Sequence, residues 1–155
     1  MTKERVSYIN GQIVPESEAK LSIRDLGFLY GDAVFDTTRT FGWKIFKLHE
    51  HLQRFYNSLK YMRIDPGIGQ DQMANLTMQV LEKNLHLLEK DGDYWVSQRV
   101  TRGVRSADIG GSTDPTVIIE CFPLPFAQRA RYYRDGLQIV IPSIRRTPCD
   151  RGTSK

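Results

Sequence analysis

The chain has 155 residues, of which 40% are hydrophobic and 26% charged, a composition typical of a globular domain rather than a disordered or fibrous chain. Its formal net charge is +4, with the charges mostly interspersed, so the charge alone does not indicate nucleic-acid binding. Two cysteines without a close partner, no apolar leader and no run of about 20 apolar residues predict a cytoplasmic protein that does not enter a membrane.

The first third of the sequence predicts two β-hairpins. Asn10 and Gly11 form a two-residue turn signal between short β-prone runs, which predicts a hairpin over residues 8–14. Residues 33–46 are rich in Val, Phe and Thr and contain a glycine at the expected turn, which predicts the second hairpin. Residues 21–30 carry apolar side chains without a regular period, and we expect a structured loop there.

Two amphipathic helices and two strands follow. Apolar residues recur at steps of three and four over residues 48–64 and again from residue 73 to about residue 90, which predicts helices. Residues 94–100 and 116–122 are β-prone, and the second of these runs is apolar enough to be a central strand. We expect a long loop over residues 103–115 between them.

Pro123 and Pro125 interrupt the pattern and predict a domain boundary. Residues 1–125 are expected to form a small N-terminal α+β domain, with a mostly antiparallel sheet covered by two helices. Residues 126–155 are expected to be an interdomain linker and the start of a second domain, whose first strand is predicted over residues 137–141.

One flank of the first predicted helix carries polar side chains that suit an anion. At 3.6 residues per turn, His51, Arg54, Ser58 and Tyr61 lie together beside the apolar stripe. A guanidinium binds phosphate through its forked donors, and hydroxyl groups can complete such a site. From the residues alone, an anion site and a solvated polar flank both stay open.

Aromatic residues surround a small, flexible step in the chain before the second hairpin. Phe28, Tyr30 and Phe35 flank Gly31 and Asp32, so they can line a small-molecule pocket or form an edge of the core. The three histidines lack a metal-ligand spacing, and no metal site is predicted. The sequence also lacks the serine hydrolase elbow, the phosphate-binding P-loop and the dinucleotide glycine motif.

Several segments, in order and with sensible spacing, resemble the class IV aminotransferases, which are fold type IV pyridoxal phosphate enzymes. They are residues 8–11 (YING), 22–36 (SIRDLGFLYGDAVFD), 48–60 (LHEHLQRFYNSLK), 100–103 (VTRG) and 145–148 (RRTP). The family includes branched-chain and D-amino-acid aminotransferases and aminodeoxychorismate lyase. The resemblance implies pyridoxal 5'-phosphate as cofactor, amino acids and 2-oxo acids as substrates, and a homodimer.

The resemblance also implies roles for single residues. Arg54 is similar to the family arginine that holds the cofactor phosphate. Phe35 matches an aromatic position of the substrate pocket, with Tyr30 near it. Possible substrate-carboxylate residues are Arg99, Arg102 and Arg105. The branched-chain pattern, an aromatic residue followed two places later by arginine, falls here on Trp95 and Ser97, so substrate preference and L or D stereochemistry stay open.

The family's Schiff-base lysine follows a segment resembling residues 145–148, and this chain stops at Lys155. Either Lys155 is that catalytic lysine, or the tail is unrelated sequence and the lysine is absent. Since the family's second domain is missing, we expect the chain to be inactive by itself. The implied function is amino-group transfer, with branched-chain amino acids as the expected substrates. The alternatives are a lyase that eliminates pyruvate from aminodeoxychorismate and a non-catalytic dimerising fragment.

Overall fold

A computed structural model describes residues 4–105 and 113–144. The predicted roles of Lys155 and of residues 145–148 therefore lie outside the described residues. In chain order, the elements are β1 (Val6–Ile9), β2 (Gln12–Pro15), α1 (Leu26–Tyr30), β3 (Ala33–Phe41), β4 (Lys44–Ile45), α2 (Leu48–Met62), α3 (Gln70–Asn84), β5 (Tyr94–Arg105), β6 (Thr113–Pro123) and α4 (Phe126–Asp135).

The described strands form one antiparallel sheet in the order β2-β1-β6-β5-β3-β4. Both predicted hairpins are confirmed, as is the central position of β6. Asn10 and Gly11 have φ values of 43° and 94°. Positive φ at both residues gives a two-residue turn the same twist as the flanking strands. The predicted α+β class with a mostly antiparallel sheet is confirmed.

Helices α2 and α3 cover one face of this sheet and form the core with it. Their inward stripes, at the predicted helical spacing, meet every second residue of the central strands. Fully buried side chains in this layer include Leu52, Phe55, Leu59, Met73, Val80, Leu81, Val96, Val100 and Ile119. We call this the helix-covered face, and the opposite side the outer face.

A buried asparagine joins α3 to the first hairpin. Asn84 Oδ1 accepts a hydrogen bond from the Val6 backbone N–H at 2.8 Å, and Asn84 Nδ2 donates to the Val6 carbonyl at 2.8 Å. The hydroxyl of Tyr94 donates to the Asn84 carbonyl at 3.0 Å. These bonds satisfy polar groups that would be costly to bury unpaired, and they fix where α3 ends.

Several predicted boundaries differ from the structure. Residues 21–30 were expected to be a loop, but they contain α1, a single turn of helix capped by the Asp25 side chain. The loop after β5 is shorter than residues 103–115, because β5 continues through a bulge to Arg105 and β6 begins at Thr113. The second long helix ends at Asn84, not near residue 90, and a 3-10 turn follows it.

The region after Pro125 differs most from the prediction. The arginine-rich stretch forms helix α4, so the described residues contain four helices rather than two. The predicted strand over residues 137–141 was wrong, because these residues lie outside any strand, with Ile139 77% and Val140 85% exposed. A strand requires a neighbouring edge for its backbone hydrogen bonds, and residues 137–141 pair with no such edge in the described part of the chain.

Candidate functional site

Two residues of the predicted polar flank of α2, His51 and Arg54, converge on one carboxylate of the sheet. Arg54 donates from Nε to Asp36 Oδ2 and from Nη2 to Asp36 Oδ1, both at 2.7 Å. His51 Nδ1 lies 2.7 Å from the same Oδ1. The Asp36 side chain is only 4% exposed, whereas that of Arg54 is 45% exposed. The pair therefore has a buried acidic end and an exposed basic end.

The geometry assigns the proton of His51. Because an ionised carboxylate can only accept, a 2.7 Å contact requires that Nδ1 carry hydrogen and donate to Asp36. In this tautomer, the 3.2 Å approach of Arg54 Nη2 to Nδ1 is not a hydrogen bond. Asp36 thus accepts three charge-assisted or polar hydrogen bonds from two residues of one helix.

The same contacts keep Asp36 ionised. Burial by itself raises the pKa of a carboxyl, but the hydrogen bonds from Arg54 and His51 outweigh burial and hold the pKa of Asp36 below its usual range. In turn, the bond to Asp36 raises the pKa of Arg54. The cluster is therefore a stable ion pair at neutral pH.

Local structure explains why these residues meet. In β3 the buried positions alternate, so Val34, Asp36 and Thr38 face the helices. On α2, His51 and Arg54 lie one turn apart and face the same part of β3. The other two members of the predicted flank behave differently, since Ser58 Oγ donates to the Arg54 carbonyl at 3.1 Å and Tyr61 is 57% exposed.

Sequence reasoning identified Arg54 but missed Asp36. The only signal was an acidic residue at an inward position of a strand whose neighbours are Val34 and Thr38. Once the buried face of the strand is known, an acidic residue at such a position predicts a basic partner, because a buried carboxylate needs one.

A second group of predicted residues lies in the middle of the outer face. Phe35 points in the opposite direction from Asp36, is 47% exposed and pairs in register with Arg99 of β5. The Arg99 guanidinium lies 5.8 Å from the centre of the Phe35 ring, and its Nη2 is 3.5 Å from Glu120 Oε1. An apolar ring therefore lies beside a partly exposed cation and anion.

Helices bound this area at both ends. At one end, α1 is fastened by Asp25, whose fully buried carboxylate accepts from the Gly27 backbone N–H at 2.7 Å. Asp25 also accepts from the hydroxyls of Thr101 and Thr116, each at 2.8 Å. Gly27 is required here, since a Cβ would lie 2.6 Å from Thr101 Cγ2.

At the other end, α4 lies near Trp95. The Arg129 guanidinium is 4.3 Å from the centre of the Trp95 ring, which also contacts the ring of Phe122. Because Thr101, Arg99 and Trp95 lie on the same side of β5, the outer face has α1 at one end, Arg129 of α4 over Trp95 at the other, and an open area between them. Tyr30, the last residue of α1, is 78% exposed next to the start of β3.

The remaining predicted arginines have other environments. Arg102 forms a bidentate pair with Asp32, at 2.6 and 3.2 Å, and donates to the carbonyls of Met62 and Arg63 at the end of α2. These bonds join β5, the start of β3 and the end of α2, and they support a structural role for Arg102. Arg105 is exposed at the end of β5.

Residues 33–151 match the family described as amino-transferase class IV, and the chain belongs to that family. A putative branched-chain-amino-acid aminotransferase of Methanocaldococcus jannaschii is 33% identical over 147 residues, which are 92% of this chain and 47% of that protein. The D-alanine aminotransferase of Staphylococcus haemolyticus is 30% identical over 97 residues, 63% of this chain and 33% of that protein. The chain therefore spans less than half the length of these relatives.

The fold is also that of known enzymes of the family. The solved structure of the branched-chain amino acid aminotransferase from Escherichia coli superposes with a TM-score of 0.68 and 24% identity, over 78% of this chain and 41% of that one. Class IV aminotransferases are pyridoxal phosphate enzymes. None of the helices in residues 4–105 and 113–144 is long and apolar enough to span a membrane.

Proposed function

We propose that this chain supplies the small domain of a pyridoxal phosphate-dependent aminotransferase, which transfers an amino group between a branched-chain amino acid and a 2-oxo acid. The observation that carries the proposal is Arg54, whose guanidinium pairs with a buried carboxylate while its side chain stays 45% exposed. Burying such a pair only for stability gains little, whereas an oriented guanidinium is well suited to bind an anion.

The residues present fit the cofactor's phosphate. Arg54 uses Nε and Nη2 toward Asp36, and Nη1 is outside this pair. A guanidinium has five N–H donors, so a second fork, toward Nη1, can bind phosphate oxygens while the first is occupied. When bound, the cofactor stores the electrons released from the substrate's α-carbon. The role of this chain is then to anchor the phosphate and to supply one wall of the substrate site.

We place the substrate against the open middle of the outer face. The cofactor would reach it from Arg54 around the edge of β3, because residues 33–38 pair in the sheet with β5 alone in the described part of the chain. The Phe35 ring offers apolar surface to an aliphatic side chain, and the Arg99 guanidinium is the group suited to a carboxylate. Tyr30 lies at the margin of this area and Arg105 at the strand end. The pairing of Arg99 with Glu120 is at 3.5 Å, long enough for a substrate carboxylate to compete for the guanidinium.

The similarity to the Methanocaldococcus jannaschii protein, over 92% of this chain, supports branched-chain amino acids as substrates. D-Amino acids are the second candidate, for two reasons. A D-alanine aminotransferase is 30% identical, and Ser97 stands where the branched-chain pattern has arginine. Parallel transamination assays with L-leucine and with D-alanine, each with 2-oxoglutarate, separate the two in a longer protein that contains this domain, since this chain alone is expected to be inactive.

The cofactor anchor is tested with pyridoxamine 5'-phosphate, which lacks the aldehyde that would react with surface lysines. Fluorescence titration of the purified chain gives the dissociation constants of this compound and of unphosphorylated pyridoxamine. The pyridoxamine constant divided by the pyridoxamine 5'-phosphate constant measures binding of the phosphate group. We expect Arg54→Gln to reduce the ratio about 10- to 100-fold, as loss of a charge-assisted hydrogen bond predicts.

Arg134→Gln is the matched control, since it removes the same charge from an 80% exposed arginine that pairs with its neighbour Asp135. It should leave the ratio unchanged. Equal affinities of the wild-type chain for the two compounds, or equal effects of the two substitutions, would refute the role of Arg54.

The proposal includes a cytoplasmic homodimer and no turnover by this chain alone. Reduction of the chain with borohydride in the presence of pyridoxal 5'-phosphate, followed by peptide mapping, decides between the two alternatives for Lys155. Label concentrated on Lys155 and dependent on Arg54 identifies the catalytic lysine, whereas label spread over many lysines excludes it. Measurable transamination by the isolated chain would contradict the expected inactivity.

A further inference from the structure

We propose that Asp36 is a positioning residue that orients Arg54 for the phosphate group. This inference rests on the proposed function, because it assigns to Asp36 a task only if Arg54 binds the cofactor. Asp36 itself does not touch the phosphate in this scheme. It acts through the guanidinium, by fixing its plane and by occupying the donors that point toward the sheet.

The two bonds from Arg54 to Asp36 are short and nearly equal, at 2.7 Å each. A bidentate contact of this kind fixes the rotation of the guanidinium about its own bonds as well as its position. An exposed arginine without such a partner samples many rotamers, and a ligand that binds it must restrict that motion at a cost in affinity. Asp36 removes much of that cost before the ligand arrives.

His51 strengthens this arrangement from the same helix. Its Nδ1 donates to Oδ1, the oxygen that also accepts from Arg54 Nη2. The carboxylate is therefore held by donors at both of its oxygens and cannot turn away from Arg54 without breaking the histidine bond. The carboxylate is rigid, and it imposes its orientation on the more exposed partner.

The fold gives little reason for a charge at this position. Asp36 is 3% exposed, and its inward neighbours along β3, Val34 and Thr38, are uncharged. An ion pair with one buried member contributes little more to stability than well-packed uncharged residues of similar volume. A buried carboxylate that is held on two sides and directed at an exposed arginine is better explained by the orientation of that arginine.

The test compares Asp36→Asn with Asp135→Asn. Asparagine has nearly the shape of aspartate but cannot hold both guanidinium donors. Asp135 forms the same kind of bidentate pair with Arg134, at 2.7 and 3.0 Å, on an exposed helix. We expect Asp36→Asn to lower the ratio of the pyridoxamine to the pyridoxamine 5'-phosphate dissociation constant about tenfold, as for other groups that orient a ligand-binding side chain. Asp135→Asn should leave it unchanged.

A second readout needs no ligand. In the wild-type chain, the Arg54 Nε–H should give an NMR signal protected from exchange with water, assigned by its loss in Arg54→Gln. The signal should exchange rapidly in Asp36→Asn and persist in Asp135→Asn. This readout reports whether Asp36 holds the Arg54 Nε–H, and the ratio of dissociation constants reports whether that orientation serves phosphate binding.

The outcomes separate the inference from the proposed function. If Arg54→Gln abolishes the preference for the phosphorylated compound and Asp36→Asn keeps both the preference and the protected Nε–H, the inference is wrong and the anchor stands. If the wild-type chain shows no preference, the anchor itself is refuted, and with it the task assigned to Asp36.

If Asp36→Asn does not fold, the wild-type chain answers the question through the exchange of the Arg54 Nε–H, which donates to Asp36 Oδ2 at 2.7 Å. Protection of this proton from exchange supports the fixed pair. Exchange as rapid as that of a free guanidinium overturns it.

Discussion

The two faces of the sheet are built on opposite principles. On the helix-covered face, side chains such as Phe55 and Met73 are fully buried, and the buried polar side chains of Thr77 and Gln98 donate hydrogen bonds. In the middle of the outer face, Phe35 is 47% exposed and Arg99 and Glu120 are partly exposed. Stability therefore depends mainly on one face, and the other is left with exposed groups of the kind that recognise a ligand.

The largest expected effect comes from matched truncations on the two faces. Phe55→Ala removes a ring that is 1% exposed, and it should lower the free energy of unfolding by about 3–5 kcal/mol. Phe35→Ala makes the same change on the outer face and should cost less than about 1 kcal/mol. Urea unfolding followed by circular dichroism measures both.

Equal costs for the two phenylalanine variants would break the comparison. In that case, the outer face would be packed in solution, against a second copy of the chain for instance. Repeating the Phe35→Ala measurement over a range of protein concentrations distinguishes such association from packing within one chain, since only association makes unfolding depend on concentration.

The next effect concerns the end of the outer face under α1. Asp25→Ala removes the acceptor of three hydrogen bonds, and leaves the hydroxyls of Thr101 and Thr116 buried without it. We expect a loss of about 2–3 kcal/mol in the free energy of unfolding. Asp135→Ala, at an exposed pair on α4, should change it by less than about 0.5 kcal/mol.

A loss for Asp25→Ala as small as that for Asp135→Ala would contradict the description of α1 as part of the packed structure. It would extend the open area along β5 toward Thr101. The expected result instead limits the open area to the stretch between α1 and α4, which sharpens the contrast with the helix-covered face.

Local signals in the sequence were enough for much of the helix-covered face. The steps of three and four residues in α2 and α3 follow directly from packing against a sheet, and Asn10 with Gly11 suits only a tight turn. The region after Pro125 was harder to predict. Helix α4 has no buried residue and hence no apolar stripe to read, and residues 137–141 have β-prone side chains but no strand to pair with in the described part of the chain.

The candidate site was predictable only in part, because its contacts join distant segments. Arg54 could be found from the spacing on one helix and from the family resemblance. Its partner Asp36 lies 18 residues earlier on a strand, and only the strand's orientation brings the two together. The same limit applies to Arg102, since its bonds to Asp32, 70 residues away, cannot be read from its neighbours in the sequence.

The smallest expected effect concerns the ion pair between Asp36 and Arg54. Its contribution to the free energy of unfolding should depend on pH. Hydrogen bonds from Arg54 and His51 hold the pKa of Asp36 below its usual range although burial opposes them. A lowered folded-state pKa stabilises the fold above the unfolded-state pKa of about 3.9, and this contribution is lost as the pH falls through the folded-state value.

We therefore expect Asp36→Asn to cost about 1–2 kcal/mol at pH 7, a value reduced by the solvent around the exposed Arg54. The difference from wild type should shrink as the pH falls below about 4, because Asp36 then takes up a proton first in the unfolded state and, at lower pH, in the folded state. Urea unfolding of both proteins between pH 7 and pH 3 measures the difference. A gap that stays constant over this range would mean that shape, and not charge, is what Asp36 contributes, and the ion pair would then belong with the uncharged packing of the helix-covered face.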